Sequence, residues 1–225
     1  MLELWIEGTI DEVAQVANSG LAAAIATNPS IIARWTADGA SLVQVVAAVC
    51  AKTHTPVYVQ LHGPDADSYA REMEALLEIS DQIHPKLVAT RDGIAAVRRM
   101  KALGRKPLIT TVATLNQAFM AAAVGADYIA PYVGRIAAAG RDSNQLIHDI
   151  AQMYARNNAA TQITAASIRT PAQAEEALRA GANQVVMGYT VFEQLLNDDL
   201  THNWIEVFEE NWRSFDHALE PSAVG

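Results

Sequence analysis

Lys86 is the residue of this sequence whose surroundings most favour chemistry. It lies in the short apolar run 86–89, which has the pattern of a β-strand and is followed by a helix start at Thr90. Burial of an amine in a strand lowers its pKa from about 10.4 toward about 7–8, which leaves part of it neutral. A neutral amine attacks carbonyl groups, so we predict a lysine that forms a Schiff base. The alternative is a structural lysine at a strand end, with its ammonium group in water.

Further polar side chains lie at or just beyond the carboxyl ends of predicted strands. These candidates are Glu7, Thr27, Asn28, Gln60, Thr110, Tyr132, Arg135 and Ser167. A guanidinium group and a hydroxyl group, together with backbone amides, can hold an anion. Arg135 and Ser167 therefore predict a phosphate site, to which Arg169 adds positive charge. The alternatives are the general polarity of loops and, for Arg135, an ion pair with Glu7 or Asp142.

The elements that must position these residues form a repeating pattern of strand and helix. Eight apolar segments are each followed by a helical pattern, and they span residues 2–7, 22–26, 56–61, 86–89, 107–112, 128–131, 161–165 and 183–187. Such repeats indicate an α/β protein with a parallel sheet, and eight of them close into a (β/α)₈ TIM barrel. The alternative is an open doubly wound sheet, which usually has a glycine-rich loop after its first strand; the segment 7–9 is not one.

Composition sets limits on the class of protein and on its partners. The chain has 225 residues, of which 51% are hydrophobic and 18% charged, so we expect a single globular domain over residues 1–225. The net charge of −9 argues against nucleic acid or an anionic membrane as a partner. No signal peptide is recognisable, and no apolar run reaches the roughly 18 residues of a membrane span.

The cysteine and histidine content excludes several further classes. Cys50 is the only cysteine, so no intrachain disulfide can form, which fits a cytoplasmic protein. A thiol enzyme that uses Cys50 is an alternative, but the helical pattern around this residue favours a core position. The six histidines lack the spacing of metal ligands, and we expect neither a metal nor a cofactor.

The last helical pattern, about 203–215, is amphipathic and unusually aromatic. Its apolar stripe consists of Trp204, Ile205, Phe208, Trp212 and Phe215. A stripe of this kind needs a partner surface. It predicts either packing on the chain's own barrel or contact with a second copy in a homo-oligomer.

Four short sequences, in order along nearly the whole chain, resemble the transaldolase family. The resemblance is closest to the short branch that includes fructose-6-phosphate aldolase. The matching pieces are Ala26-Thr-Asn-Pro-Ser-Ile-Ile32, Lys86 with Thr90 and the following Asp-Gly-Ile, Ala130-Pro-Tyr-Val-Gly-Arg135, and Ala165-Ala-Ser167. The resemblance implies a class I aldolase barrel without metal or cofactor, with the Schiff-base lysine on the fourth strand, where Lys86 falls. It also implies a decamer, built from rings of five whose terminal helices reach a neighbour.

The resemblance also implies roles for the other candidates. Glu7 stands where the family has an aspartate that assists proton transfer, and Asn28 matches an asparagine that contacts the sugar. Three residues match those that hold a catalytic water in fructose-6-phosphate aldolase: Gln60, Thr110 and Tyr132. Two match the phosphate ligands: Arg135 and Ser167. Thr27 adjoins Asn28 and is a further candidate for substrate binding.

Together these residues predict an aldolase that cleaves the bond between C3 and C4 of a ketose phosphate such as fructose 6-phosphate. The products would be dihydroxyacetone and glyceraldehyde 3-phosphate. The alternatives are transfer of the dihydroxyacetone unit between sugar phosphates, a sulfonated sugar analogue as substrate, and a non-catalytic phosphate-binding barrel. Gly134 resembles the transaldolase branch, whereas Gln60 and Tyr132 resemble the aldolase branch.

Overall fold

The computed structural model describes residues 2–214, and its centre is a closed barrel of eight parallel strands in chain order. The strands are β1 Glu3–Glu7, β2 Ala24–Ala26, β3 Val57–Gln60, β4 Ile83–Val88, β5 Leu108–Val112, β6 Tyr128–Pro131, β7 Gln162–Ile168 and β8 Gln184–Gly188. The pairing of β1 with β8 closes the ring. The prediction of a (β/α)₈ barrel is confirmed.

Helices lie between successive strands, and most begin at a side chain that caps them. They are α1 Ile10–Asn18, α2 Pro29–Trp35, α3 Leu42–Lys52, α4 Ala66–Leu77, α5 Arg91–Ala102, α6 Leu115–Ala123, α7 Val133–Ala138, α8 Ser143–Arg156, α9 Pro171–Ala180, α10 Tyr189–Gln194 and α11 Asp199–Arg213. Thr9 caps α1 in a capping box with Glu12, and Thr90 caps α5. Each cap satisfies a backbone amide that has no partner in the helix and so fixes where the helix begins.

Side chains of the strands alternate between two apolar regions. One set points out beneath the helices and includes Ile6, Ile25 and Leu87, all fully buried. The other set fills the inside of the barrel, where the ring of Trp5 stacks on Tyr58 with a centroid distance of 4.4 Å. The strand period of two produces this division. The interior is therefore packed near the amino ends of the strands, which leaves space only at the carboxyl ends.

Two irregularities interrupt the sheet near the carboxyl ends of β5 and β7. The register shifts between Ile109 and Val112 in β5 and between Ala165 and Ile168 in β7. Within these bulges Thr111 and Ser167 have φ values of 61° and 60°. Residues other than glycine seldom adopt this left-handed conformation. Bulges add a residue to one strand and re-aim its side chains.

Most strand ends differ from the predicted ones by one to three residues, and three larger differences concern β4, α7 and the terminal helix. Lys86 was expected at the start of its strand, but it is the fourth residue of β4, because Pro85 is accommodated within the strand opposite Val59. The short helix α7 was not predicted. The terminal helix begins at Asp199 rather than 203, since Asp198 accepts hydrogen bonds from the first amides, and it ends at Arg213. Phe215 lies outside the described residues.

The chain divides into two compact units, one up to Phe192 and the other from Glu193 onward. The expectation of a single domain stays a prediction. In the second unit, α11 exposes about half or more of Trp204, Phe208 and Trp212. None of the helices within residues 2–214 has the length and apolar composition needed to cross a membrane.

Candidate active site

A cavity of about 340 Å³ opens at the carboxyl ends of the strands, inside the barrel. Seven of the nine predicted site residues line it: Glu7, Asn28, Gln60, Lys86, Tyr132, Arg135 and Ser167. The remaining two, Thr27 and Thr110, are fully buried and contact the lining residues. The carboxyl ends of barrel strands are where active sites of this fold lie.

Lys86 is buried, with 3% of its surface exposed, and its Nζ donates a hydrogen bond of 2.7 Å to the carbonyl oxygen of Thr27. Burial lowers the pKa of Lys86 to about 8; the charge of Glu7 opposes this shift and that of Arg135 adds to it. A pKa near 8 leaves an appreciable neutral fraction at neutral pH. The amine can therefore act as a nucleophile without a separate base to deprotonate it.

Glu7 and Asn28 form a hydrogen-bonded pair on one wall of the cavity. The Asn28 Oδ1 atom caps α2 by accepting the amide of Ile31 at 3.0 Å. This cap directs the Asn28 amide nitrogen toward Glu7, and Nδ2 donates to Oε2 at 3.2 Å. The carboxylate is thus held in place at the cavity wall by a side chain whose own orientation is fixed by a helix start.

Thr27 lies behind the wall rather than in it. Its hydroxyl donates to the carbonyl of Tyr58 and accepts the amide of Gln60, both at 3.1 Å. These bonds join β2 to β3, and the Thr27 carbonyl in turn accepts the Lys86 amine. The contacts favour a supporting role, and substrate binding by Thr27 stays a prediction.

Hydroxyl and amide groups lie in or directly behind another part of the cavity wall, and they belong to Tyr132, Thr110 and Gln60. The Thr110 hydroxyl donates to the Tyr132 hydroxyl at 2.8 Å. Burial raises the pKa of Tyr132, against the hydrogen bond from Thr110, so the phenol stays protonated. Gln60 Oε1 is buried and has no hydrogen-bond partner among the described residues. An acceptor in that position is stabilised by a substrate hydroxyl or a water.

Arginine side chains place positive charge where α7 meets β7, on the side of the cavity opening away from Glu7 and Asn28. A Cβ atom on Gly134 would lie 2.6 Å from the carbonyl oxygen of Ser167 and 3.1 Å from Nε of Arg169. Glycine at this position therefore allows α7 to approach β7. The guanidinium of Arg135, on α7, lies 5.4 Å from the ring centre of Tyr132. Two guanidinium groups and the Ser167 hydroxyl can together bind an anion.

The alternative of an ion pair for Arg135 finds no support in the part of the chain that is described. The ion pairs found there join Lys52 with Asp11, Arg99 with Asp67, Lys101 with Asp127, and Arg179 with Glu175. The alternative of a thiol enzyme is not supported either, because burial raises the pKa of Cys50. A nucleophilic thiol needs the opposite shift. Within residues 2–214, no three His, Cys, Asp or Glu side chains are grouped to hold a metal ion.

Thr111 was given no role from the sequence, whereas Arg169 was expected to add charge to the anion site; the fold places both at this end of the barrel. Thr111 lines the cavity, and Arg169 lies beside Gly134. Strand alternation predicts that Thr110 and Thr111 point in opposite directions. Only the bulge in β5 brings Thr111 to the cavity, and no feature of the sequence marks that bulge.

Sequence comparisons with known proteins point to one family, and the structural comparison adds the fold. The family described as Transaldolase/Fructose-6-phosphate aldolase matches residues 7–223. A "Probable transaldolase" of Pelotomaculum thermopropionicum is 34% identical over 212 residues, which cover 94% of this chain and 97% of that protein. A "Probable transaldolase" of Symbiobacterium thermophilum is 33% identical over 214 residues, covering 95% and 98%. A solved structure from Burkholderia cenocepacia, with a TM-score of 0.61 at 17% identity over 93% of this chain and 94% of that one, shows the fold alone.

Proposed function

The chain belongs to the transaldolase/fructose-6-phosphate aldolase family, and we propose that Lys86 is its Schiff-base residue and a ketose phosphate its substrate. An enzyme of this family is a class I aldolase or transaldolase, which works through a lysine Schiff base. The observation that carries the assignment to Lys86 is its position: a lysine that is 3% exposed and still lines the polar cavity of the barrel. Burial keeps its pKa near 8 and supplies the neutral amine.

The reaction begins when neutral Lys86 adds to the C2 carbonyl of the ketose and the adduct loses water to give an iminium ion. The C3–C4 bond then breaks as the proton of the C4 hydroxyl is moved away, either by a bound water or by Tyr132, which passes on its own proton as it accepts this one. The electron pair of the broken bond moves toward the iminium nitrogen, so an aldehyde leaves and an enamine remains on Lys86. Glu7, held by Asn28, shuttles protons while the Schiff base forms and is hydrolysed.

Arg135 and Ser167 hold the phosphate group of the substrate in this proposal. The phosphate is then fixed at one side of the cavity opening and the carbonyl at Lys86. The reacting atoms therefore keep a fixed position relative to the amine, which makes the step effectively intramolecular. Arg169, which lies beside Gly134, adds a second guanidinium to the same anion site. A sulfonate carries one negative charge where a phosphate carries up to two. The paired guanidinium groups therefore favour a phosphate.

Two outcomes are open to the enamine, and we propose that protonation by water is the main one. Gln60 offers a free acceptor, and the bonded pair of Thr110 and Tyr132 offers hydroxyl groups, so the three can satisfy a water and carry a proton. Protonation at C3 followed by hydrolysis releases dihydroxyacetone. The second candidate is transfer to an aldehyde, as the names of the relatives suggest for those proteins.

Product analysis with fructose 6-phosphate tests the choice between these outcomes. We expect free dihydroxyacetone in the absence of any acceptor, and we expect the Tyr132→Phe substitution to shift the products toward transfer. Sedoheptulose 7-phosphate formed with erythrose 4-phosphate, with no dihydroxyacetone in its absence, would identify a transaldolase. Gln60 and Tyr132 would then not hold a water that protonates the enamine.

We also propose that the chain forms a homo-oligomer through the aromatic face of α11. Trp204, Phe208 and Trp212 are half or more exposed on a helix whose other face is charged. Large exposed aromatic surfaces of this kind mark contact sites. A second copy is the occupant that the resemblance to the short branch implies. Sedimentation equilibrium should give the mass of two or more chains of 24.2 kDa, and a stable monomer would contradict the proposal.

A further inference from the structure

Thr111 combines a strained backbone with a place in the wall of the Lys86 cavity. Its φ of 61° lies in the left-handed region, which a β-branched residue rarely enters. It sits in the bulge where β5 shifts register against β6. Conformations of this kind are unfavourable and persist only when surrounding contacts hold them, which often happens at functional sites.

The contacts that hold Thr111 join the end of β4 to β5. Its hydroxyl donates to the carbonyl of Thr110 at 2.6 Å and accepts the amide of Ala89 at 3.1 Å. The same Ala89 amide also donates to the Thr110 carbonyl, at 3.0 Å. Ala89 follows β4, three residues beyond Lys86. One hydroxyl therefore connects the segment after the lysine with the residue whose side chain contacts Tyr132.

The bulge makes this connection compatible with a correctly aimed Thr110. Thr110 is fully buried and donates its hydroxyl to the lining residue Tyr132 at 2.8 Å, while the next residue, Thr111, itself lines the cavity. In a regular strand, consecutive side chains point to opposite faces. The donor of the Thr111 hydroxyl is already used on Thr110, so it is not free to bond a substrate.

We propose that Thr111 is a positioning residue, which acts through Thr110 on Tyr132 rather than on the substrate. The inference rests on the proposed function, because it takes Thr110 and Tyr132 to be the groups that hold water and move the proton. Thr111 should therefore govern kcat and the partition of the enamine between water and an aldehyde. It should leave KM for the ketose phosphate nearly unchanged, since the proton of its hydroxyl is already donated to the Thr110 carbonyl.

Asn158 supplies a matched control for the effect of backbone strain. It has a φ of 50°, comparable to that of Thr111, but it lies between α8 and β7 and does not line the Lys86 cavity. Thr111→Gly and Asn158→Gly relieve the same kind of strain, because glycine adopts positive φ readily. Only the first of them removes the hydroxyl that orders Thr110.

The experiment measures kcat, KM and the yield of free dihydroxyacetone, with and without erythrose 4-phosphate, together with the thermal midpoint. Thr111→Val and Thr111→Gly should lower kcat about tenfold or more, because a small misplacement of reacting groups has a large effect. Both should keep KM within about twofold of the wild type and shift the products toward transfer. Thr111→Ser, which retains the hydroxyl, should restore kcat, and Asn158→Gly should match the wild type in kinetics. Thr111→Gly should melt no lower than Thr111→Val.

Three results would overturn the inference. Wild-type kcat and partition in Thr111→Val and Thr111→Gly would show that the hydroxyl positions nothing. A raised KM with unchanged kcat would make Thr111 a substrate contact. Losses of kcat that follow the melting temperature across all variants would make its role purely structural. Failure of the wild type itself to form a borohydride-stable adduct with dihydroxyacetone would instead contradict the proposed function.

Discussion

The inner face of β4 carries two basic side chains in different surroundings. His84 lies toward the amino end of the strand, with its ring 5.2 Å from that of Tyr58 and its Nδ1 accepting the amide of Lys106. Lys86, two residues further on, reaches the cavity at the carboxyl end. Burial lowers the pKa of both, to about 4 for His84 and about 8 for Lys86. Desolvation alone therefore does not distinguish the surroundings of Lys86 at the cavity from those of His84 in the packed interior.

What distinguishes the two regions is the space beside the amine and the groups around it. The lower layer is filled by the rings of Trp5, Tyr58 and Tyr128, with centroid distances of 4.4 to 5.8 Å. The upper layer keeps a cavity whose wall includes a carboxylate, a phenol and an amide oxygen that has no hydrogen-bond partner within residues 2–214. In proteins of this fold the amino ends of the strands serve stability and the carboxyl ends carry the active site, and this is the division that we propose for the two layers.

Lys86→Met should give the largest effect on activity. It removes the amine but keeps an unbranched apolar side chain of similar length, so the barrel should fold while turnover falls roughly 10⁴-fold or more. Cleavage assays and circular dichroism measure the two properties separately. Retained aldol activity in a folded Lys86→Met protein would rule out a Schiff-base mechanism at this residue.

Trp5→Ala should give the converse result in the lower layer. Trp5 is 1% exposed and stacks on Tyr58, so its truncation should lower the free energy of unfolding by about 3–5 kcal/mol. The fraction that remains folded should still react at Lys86. Urea unfolding and adduct formation per folded molecule test this separation. A stable variant without adduct would show that the two layers are not independent.

Arg135→Ala should have an intermediate effect that depends on the substrate. Loss of a charge-assisted hydrogen bond of about 1.5–3 kcal/mol predicts a decrease in kcat/KM of roughly 10- to 150-fold for phosphorylated ketoses. Unphosphorylated dihydroxyacetone should react nearly as in the wild type. Steady-state kinetics with both donors provide the test, and equal losses would remove Arg135 from the anion site.

The smallest effect concerns stability against pH. The pKa of Lys86 is about 8 in the fold against an ordinary value of 10.5, so between these values the unfolded chain binds more protons than the folded one. The free energy of unfolding contributed by Lys86 is therefore lowest below about pH 8 and rises up to about pH 10.5. Comparison with Lys86→Met by urea unfolding isolates this contribution. Parallel pH curves for the two proteins would contradict the lowered pKa.

For the layer around the cavity, the sequence predicts which residues take part better than it predicts how they are arranged. The repeating pattern predicted eight strands, and a lysine in an apolar run pointed to Lys86. Pro85 hid the true start of β4, because proline seldom lies within a sheet. The bond between Thr110 and Tyr132 joins positions 22 apart in the chain, and no local pattern encodes such a pair.

Bulges and short helices account for most of what the sequence could not predict. The left-handed conformations of Thr111 and Ser167 arise from tertiary contacts that override local preference. Helix α7 has six residues, too few to show a clear period. The start of α11, by contrast, had a signal: Asp198 followed by Asp199 is a usual helix beginning.

Borohydride reduction in the presence of dihydroxyacetone is the most direct test of Lys86 as the Schiff-base residue. We expect a covalent adduct of one dihydroxyacetone unit per chain, mapped by peptide mass to the segment that contains Lys86. The adduct should be absent from Lys86→Met and present in Trp5→Ala and Thr111→Val. An adduct on another lysine, or none on a folded wild-type protein, would contradict the assignment of Lys86 as the Schiff-base residue.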